Sequence, residues 1–326
     1  NSQFGGLTVK DALVDGFRDQ SLERPSVDKS HPDIRFQARL LRGEVQFYVD
    51  FSGRSLNQRG YRKDSGVAPL KENLAAAIVL RSGWLVDTTK PLVDPMCGSG
   101  TVLIEAVSMA KKRAPSLERE FWGFDYWLGH EVEVFDQAFA DARQTSLDNN
   151  ELFSGKVYGS DIDSRVINTA KQNARYAGFS DLIELSVKDA IKINNVFSKP
   201  GVMLFNPPYG ERLGELPELV ELFSMFGQKL KHQYVDWRVV ILTSSVELLA
   251  LLRLATTKRY KFKNGPLDCQ LALYDINEKQ VAKDQLTGNI DFESEQSDFG
   301  NRLKKNLKGL KGWIKSENID CYRCYD

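Results

Sequence analysis

Asn206-Pro207-Pro208-Tyr209 closes an apolar run, Val202 to Phe205. The run has the length and apolarity of a buried strand. The two prolines donate no backbone N–H and hold φ at about −65°, so the chain must leave the sheet there. Asn206 is kept extended by the proline that follows it. The resulting rim carries an amide, two free carbonyls and an aromatic ring. That set suits a planar amine. The Asn206 side-chain oxygen and the Pro207 carbonyl can both accept hydrogen bonds from one NH2 group. Tyr209 can stack on the ring that bears it. A plain strand-ending turn would use the same prolines, so the upstream sequence has to decide.

Upstream, Pro91-Leu92-Val93-Asp94 reads as a short buried strand. Pro95-Met96-Cys97-Gly98-Ser99-Gly100-Thr101 is a glycine-bearing turn, and Val102 onward starts a helix. Strand, glycine turn and helix open a doubly wound α/β domain, whose ligands sit at the carboxyl ends of the strands. The spacing fails the dinucleotide fingerprint, which wants a third glycine where Leu103 stands, and it fails the P-loop, which wants a lysine. What remains is D-x-x-x-G-x-G. The glycines let backbone approach a ligand closely. Asp94 adds a carboxylate, wrong for a pyrophosphate and right for a cationic or amine-bearing ligand.

The strand–helix rhythm then repeats. Lys156 to Asp161 is a strand ending in an acid, and Asp163 is a natural N-cap for a helix from Val166 to Ala177, with Gly178 as its stop. Ile183 to Ala190 is a further strand ending near Asp189. Asp161 lies where nucleoside-binding α/β folds anchor a ribose. A helix from Leu216 to His232, a strand from Trp237 to Leu242 and a helix from Val246 to Leu254 follow. Two alternating runs, Arg259 to Lys263 and Cys269 to Tyr274, end the domain as an antiparallel hairpin. The aromatics Phe121, Trp122, Phe124, Tyr126 and Trp127 are expected in the core, or as walls of the substrate pocket.

Ahead of this domain, Asp33 to Leu41 and Gly43 to Phe51 read as a β-hairpin. Next comes a glycine-punctuated stretch with Arg54, Arg59, Tyr61, Arg62 and Lys63. Basic residues around an aromatic can grip a phosphate backbone and stack a base; a solvated loop has the same composition. Pro69 to Leu80 reads as a helix. After the domain, residues 277–298 are acidic and polar, and 299–326 turn basic with apolar residues at helical spacing. These changes divide the chain into 1–66, 67–278, a linker at 279–298 and the start of another domain at 299–326.

Lys and Arg (44) cancel Asp and Glu (44), so any nucleic-acid site must be a local patch. Four cysteines are too few for a disulfide scaffold and point to the cytoplasm. Cys321-Tyr-Arg-Cys324 has no second pair to complete a metal site. No apolar run approaches the length of a membrane span. The start at Asn1, without an initiator Met, suggests a piece of a longer protein.

In their order, Asp94-Pro-Met-Cys-Gly98-Ser-Gly100-Thr101, Gly-Ser-Asp161-Ile162-Asp163, Lys-Asp189-Ala190 and Asn206-Pro-Pro-Tyr resemble the motifs of S-adenosylmethionine-dependent methyltransferases that modify exocyclic amines. With Phe51-Ser-Gly-Arg-Ser-Leu-Asn-Gln-Arg-Gly-Tyr-Arg and Ala68-Pro-Leu-Lys-Glu-Asn, the chain resembles the bacterial 23S rRNA guanine-N2 methyltransferases, where a THUMP RNA-binding domain meets the catalytic domain. Asn301-Arg-Leu-Lys-Lys-Asn-Leu-Lys resembles the start of the second methyltransferase module of their bifunctional members.

The resemblance implies a Rossmann-like class I methyltransferase sheet, preceded by a partial α+β THUMP domain. It implies S-adenosylmethionine bound by Asp94, Pro95, Cys97, Gly98, Gly100, Thr101, Asp161, Ile162, Asp189, Ala190 and Asn206. Asn206, Pro207 and Tyr209 would act on the amine, and Arg54 to Lys63 on RNA. The implied partner is 23S rRNA or its large-subunit precursor, with no metal and no membrane. Adenine N6, a protein glutamine or a non-catalytic RNA-binding role remain the alternatives.

Overall fold

The computed structural model describes residues 2–20, 22–28, 30–62, 70–149, 153–208 and 215–278. The chain divides into the compact units Asn1–Ile276 and Asn277–Asp326. Tyr209, Lys63, Pro69, the acidic linker, the basic tail and Cys321-x-x-Cys324 lie outside the described residues.

Helix α1 (Ser2–Asp19) precedes the hairpin β1 (Arg35–Leu41) and β2 (Glu44–Asp50). The turn residues Arg42 and Gly43 both have positive φ, 52° and 83°. Two successive positive-φ residues match the right-handed twist of the strands they join. Helix α2 (Glu72–Ser82) stops at Gly83, whose φ of 77° is a left-handed cap. Then come β3 (Leu92–Asp94) and α3 (Thr101–Ala110). The crossover continues through α4 (Val132–Asp148) to β4 (Val157–Asp161). Next are α5 (Ser164–Tyr176), β5 (Ile183–Val187) and β6 (Val202–Phe205). Helix α6 (Glu215–Gln233), β7 (Arg238–Thr243), β8 (Lys258–Asn264) and β9 (Leu267–Asp275) complete the described chain.

The main sheet has seven strands in the order β5-β4-β3-β6-β7-β9-β8. Strands β3 to β7 are parallel, and β9 runs antiparallel between β7 and β8. Strand order therefore reverses between β3 and β6, which opens a crevice at their carboxyl ends. Side chains of β6 alternate between two buried layers. Val202 and Leu204 join Ile78, Leu103 and Val107 on one face; Met203 and Phe205 join Phe223, Phe226 and Trp237 on the other. Burial on both faces is why these strands read as continuous apolar runs.

Three elements of the fold differ from the sequence expectation. Residues 246–252 form a tight 3-10 helix where an α-helix was expected. Strand β5 ends at Val187, so Asp189 caps a short 3-10 turn instead of ending a strand. The aromatics at 121–127 do not enter the core. Tyr126 and Trp127 are exposed, the others half-buried, and α4 buries no residue. Apolar composition alone cannot tell a core from a surface cluster. Here Trp122, Phe124, His130 and Phe135 pack on one another, and Phe51 meets Trp127 edge-on at 5.2 Å. Gly123 permits this contact, because a Cβ there would lie 2.5 Å from the Asp50 carbonyl oxygen.

Candidate active site

The loop between β3 and α3 is shaped by hydrogen bonds from three directions. The Asp94 carboxylate accepts the Met96 amide at 3.1 Å, which turns the chain just after the strand. The Cys97 amide donates to the Ser160 carbonyl at 2.9 Å, and the Gly100 amide to the Cys97 carbonyl at 2.8 Å. From β4, Asp161 Oδ2 accepts the Gly98 amide at 3.1 Å. From α5, Asn173 donates to the Ser99 carbonyl at 3.0 Å. Gly98 and Gly100 both have positive φ, 52° and 80°, which a side chain would strain. They differ in surroundings. A Cβ on Gly100 would lie 3.3 Å from the Ala170 Cβ, whereas one on Gly98 would meet nothing within 4 Å among the described residues. The Gly98 backbone is thus left open by the described residues.

Two acids, Asp94 and Asp161, hold backbone amides of this turn, and further acids follow β4 and β5. Asp94 is buried at 2% exposure. Burial pushes its carboxyl well above the usual range, and nearby Asp161 adds to the rise. Asp161 spends its other oxygen on the Asp163 amide, at 3.0 Å. A carboxylate has about four acceptor sites, so Asp161 keeps capacity for a ligand hydroxyl. Ile162 beside it is 73% exposed. Asp163 caps α5 through the Arg165 amide at 2.8 Å. Asp189 accepts the Ile191 amide at 3.0 Å and pairs with Lys192 at 3.6 Å; Ala190 is buried. Lys229 of α6 fixes that loop by donating to the Ile191 carbonyl at 2.6 Å. Burial also raises the Cys97 thiol, which keeps it an unreactive packing group.

Asn206 and Pro207 leave β6 directly beside β3, across the point where strand order reverses. Asn206 is half-buried, Pro207 buried and Pro208 exposed. Asp94, the Gly98 turn, Asp161 and Asn206 therefore all lie at the carboxyl ends of the adjacent strands β4, β3 and β6. Two cavities among the described residues, of about 220 and 330 Å³, include none of these four.

The basic junction behaves differently from its sequence expectation. Arg54 is exposed, but Arg59, Tyr61 and Arg62 turn inward. Arg59 pairs with Glu105 at 3.5 Å, and Tyr61 donates its hydroxyl to Glu105 at 3.2 Å. Arg62 lies 3.9 Å from Glu72, donates to the Leu70 carbonyl at 3.0 Å, and donates to Thr101 Oγ1. These three side chains cannot grip a phosphate backbone from where they stand; they hold α2 and α3. Thr101, read as a ligand contact, is buried and takes Arg62 as a partner. Sequence reasoning missed Glu72, Glu105 and Asn173. An acid inside a helix-forming run, as at Glu72 and Glu105, was the available signal for a buried partner.

Among the described residues no helix is long and apolar enough to cross a membrane. None of their His, Cys, Asp and Glu side chains group to hold a metal ion.

Residues 59–272 match the family model described as RMKL-like, methyltransferase domain, and residues 1–50 match the THUMP domain. The whole chain is 61% identical to 46% of a protein named ribosomal RNA large subunit methyltransferase K/L from Colwellia psychrerythraea. It is 45% identical to 45% of the protein of that name from Alteromonas mediterranea. The chain thus spans less than half the length of these relatives. Among solved structures, a "possible methylase" from Clostridium difficile 630 matches with TM-score 0.72 at 31% identity, over 82% of this chain and 68% of that one. A candidate methyltransferase complexed with S-adenosylhomocysteine matches with TM-score 0.68 at 29% identity, over 83% and 70%. A protein from Listeria monocytogenes described as a "predicted N6-adenine-specific DNA methylase" matches with TM-score 0.67 at 32% identity, over 82% and 67%. The chain belongs to the family of RMKL-like methyltransferase domains that follow a THUMP domain.

Proposed function

We propose that the chain transfers a methyl group from S-adenosylmethionine to the exocyclic N2 amine of a guanine in 23S rRNA or its large-subunit precursor. The observation that supports this reading is that Asn206-Pro207 and the Asp94–Gly100 turn follow the adjacent parallel strands β6 and β3, on the two sides of the strand-order reversal. The open backbone at Gly98 and the spare acceptor capacity of Asp161 fit a nucleoside with a cationic amino-acid tail. Asp94 and the glycine turn, Pro95 to Gly100, would hold that tail. Asp161, with Ile162 beside it, would accept the ribose hydroxyls, and Asp189 with Ala190 would border the adenine. When bound, S-adenosylmethionine supplies an electrophilic methyl on a sulfonium sulfur.

The chain's own residues do the rest by positioning. The target base leaves its stack at a cost of a few kcal/mol, and Tyr209 stacks on it. Asn206 Oδ1 and the Pro207 carbonyl accept the two amine hydrogens. Drawing both out of the ring plane frees the nitrogen lone pair from the ring and aims it at the methyl. Alignment for in-line attack then supplies the acceleration. The bond of the methyl to sulfur would break as its bond to nitrogen forms, and the methylated amine would then release its proton to solvent, so no strong base is required.

The domain division 1–66, 67–278, linker 279–298 and a further domain from 299 belongs to the same reading. A second methyltransferase domain in the whole protein and a cytoplasmic setting go with it. Names given to two relatives support rRNA as substrate. Adenine N6 is the second reading, favoured by the description of the Listeria protein. The test is methyl transfer from labelled S-adenosylmethionine to large-subunit RNA by the wild-type and Asn206→Ala chains. Transfer lost in the variant supports the amine role of Asn206; equal transfer removes it.

A further inference from the structure

Three of the clamps on the glycine turn come from the strand and helix that follow it: Ser160 and Asp161 on β4, and Asn173 on α5. A fourth comes from the junction. Arg62, whose side chain is 8% exposed, donates through Nη2 to Thr101 Oγ1 and to the Leu70 carbonyl, with Nη1 near Glu72. Thr101 directly follows Gly100 and begins α3, and its hydroxyl lies 3.3 Å from that of Ser99. Glu72 begins α2 and also accepts from Asn57 of the junction at 3.3 Å. One guanidinium therefore joins the start of α2, the segment leading into it and the first residue after the turn.

We propose that Arg62 is a positioning residue for the turn, so that the seating of the junction on α2 and α3 sets affinity for S-adenosylmethionine; this rests on the cofactor reading above. An ammonium is a point charge and could serve one side or the other. A planar fork keeps Nη1 beside Glu72 while Nη2 donates to both the Leu70 carbonyl and Thr101. Arg59 is the internal comparison. It is held in the same cluster, but its acid, Glu105, lies one helical turn beyond Thr101, and it does not touch the turn.

The experiment measures S-adenosylmethionine affinity by calorimetry, and amide exchange of residues 98–103 without cofactor, for wild type, Arg62→Lys, Thr101→Val and Arg59→Lys. Thermal unfolding of each variant records whether it folds. Arg62→Lys and Thr101→Val are expected to weaken binding about tenfold, as for loss of one charge-assisted hydrogen bond, and to speed exchange in 98–103. Arg59→Lys is expected to lower thermal stability and leave both readouts near wild type. Wild-type affinity and exchange in Arg62→Lys would overturn the proposal, as would equal losses in Arg59→Lys. A wild type that does not bind the cofactor, with exchange faster only in Arg62→Lys and Thr101→Val, would overturn the cofactor reading while leaving Arg62 as a clamp on the turn.

Discussion

Asp161, at the end of β4, accepts the amide of Gly98 at 3.1 Å from a turn that follows the neighbouring strand β3. The acid assigned to a ribose thus also shapes the loop assigned to the amino-acid tail. On the proposed assignment, removing it should disturb both sets of cofactor contacts. Asp161→Ala is expected to weaken S-adenosylmethionine binding by more than tenfold, or about 1.4 kcal/mol. Asp161→Asn should lose less, because its one oxygen can still accept Gly98. Calorimetry on the two variants measures this, and unchanged affinity in Asp161→Ala would mean the ribose contact is misplaced.

Asp94 makes stability depend on pH. Its folded carboxyl titrates well above the ordinary 3.8, chiefly because it is buried. Below that ordinary value both folded and unfolded chains hold the proton. As pH rises through the raised folded value, the unfolded chain releases its proton first, and folding loses stability. Asp94→Asn keeps an acceptor for the Met96 amide and removes the titration. Its thermal midpoint should therefore exceed that of wild type toward neutral pH, by a margin that shrinks in acid. Melting curves across pH check this; a constant margin would contradict it. The same variant should bind S-adenosylmethionine more weakly.

Gly123 brings the aromatic loop against the hairpin end. A Cβ there would sit 2.5 Å from the Asp50 carbonyl oxygen and 2.6 Å from the Gly53 nitrogen, both backbone atoms that cannot swing aside. Gly123→Ala should lower stability by about 1–3 kcal/mol, and loosen the hairpin before the sheet. Hydrogen exchange resolved by segment would show faster exchange at 44–53 and little change at 202–205. Uniform change would argue against a local contact.

The legible parts of this chain were those in which local sequence carries its own cause. A buried strand must be apolar and must stop, so Asp94, Asp161 and Asn206 could be placed at strand ends from spacing alone, and Asp163 announced the helix it caps. Arg59, Tyr61 and Arg62 could not be placed that way. Their direction is set by Glu72, Glu105 and Thr101, up to 46 residues away. Basic composition reads the same whether the partner is a phosphate or a buried acid. The aromatics at 121–127 failed for the converse reason: side chains that pack on each other need not pack on the sheet.

Asn206 carries the central claim for catalysis. It is half-buried on the rim beyond β6, and the proposed amine role predicts that its loss shows in transfer more than in cofactor affinity. Asn206→Ala should lower single-turnover transfer by roughly 10²–10³, the scale of losing one aligned polar contact in a transition state, with cofactor affinity within a few fold of wild type. A parallel fall in affinity would place Asn206 in the cofactor site instead.

The most direct measurement is mass spectrometry of nucleosides from large-subunit RNA, methylated by the complete protein with S-adenosylmethionine and mapped to position. The account expects one new N2-methylguanosine, absent with Asn206→Ala. N6-methyladenosine in its place, or no methylated nucleoside from a protein that binds the cofactor, would contradict it.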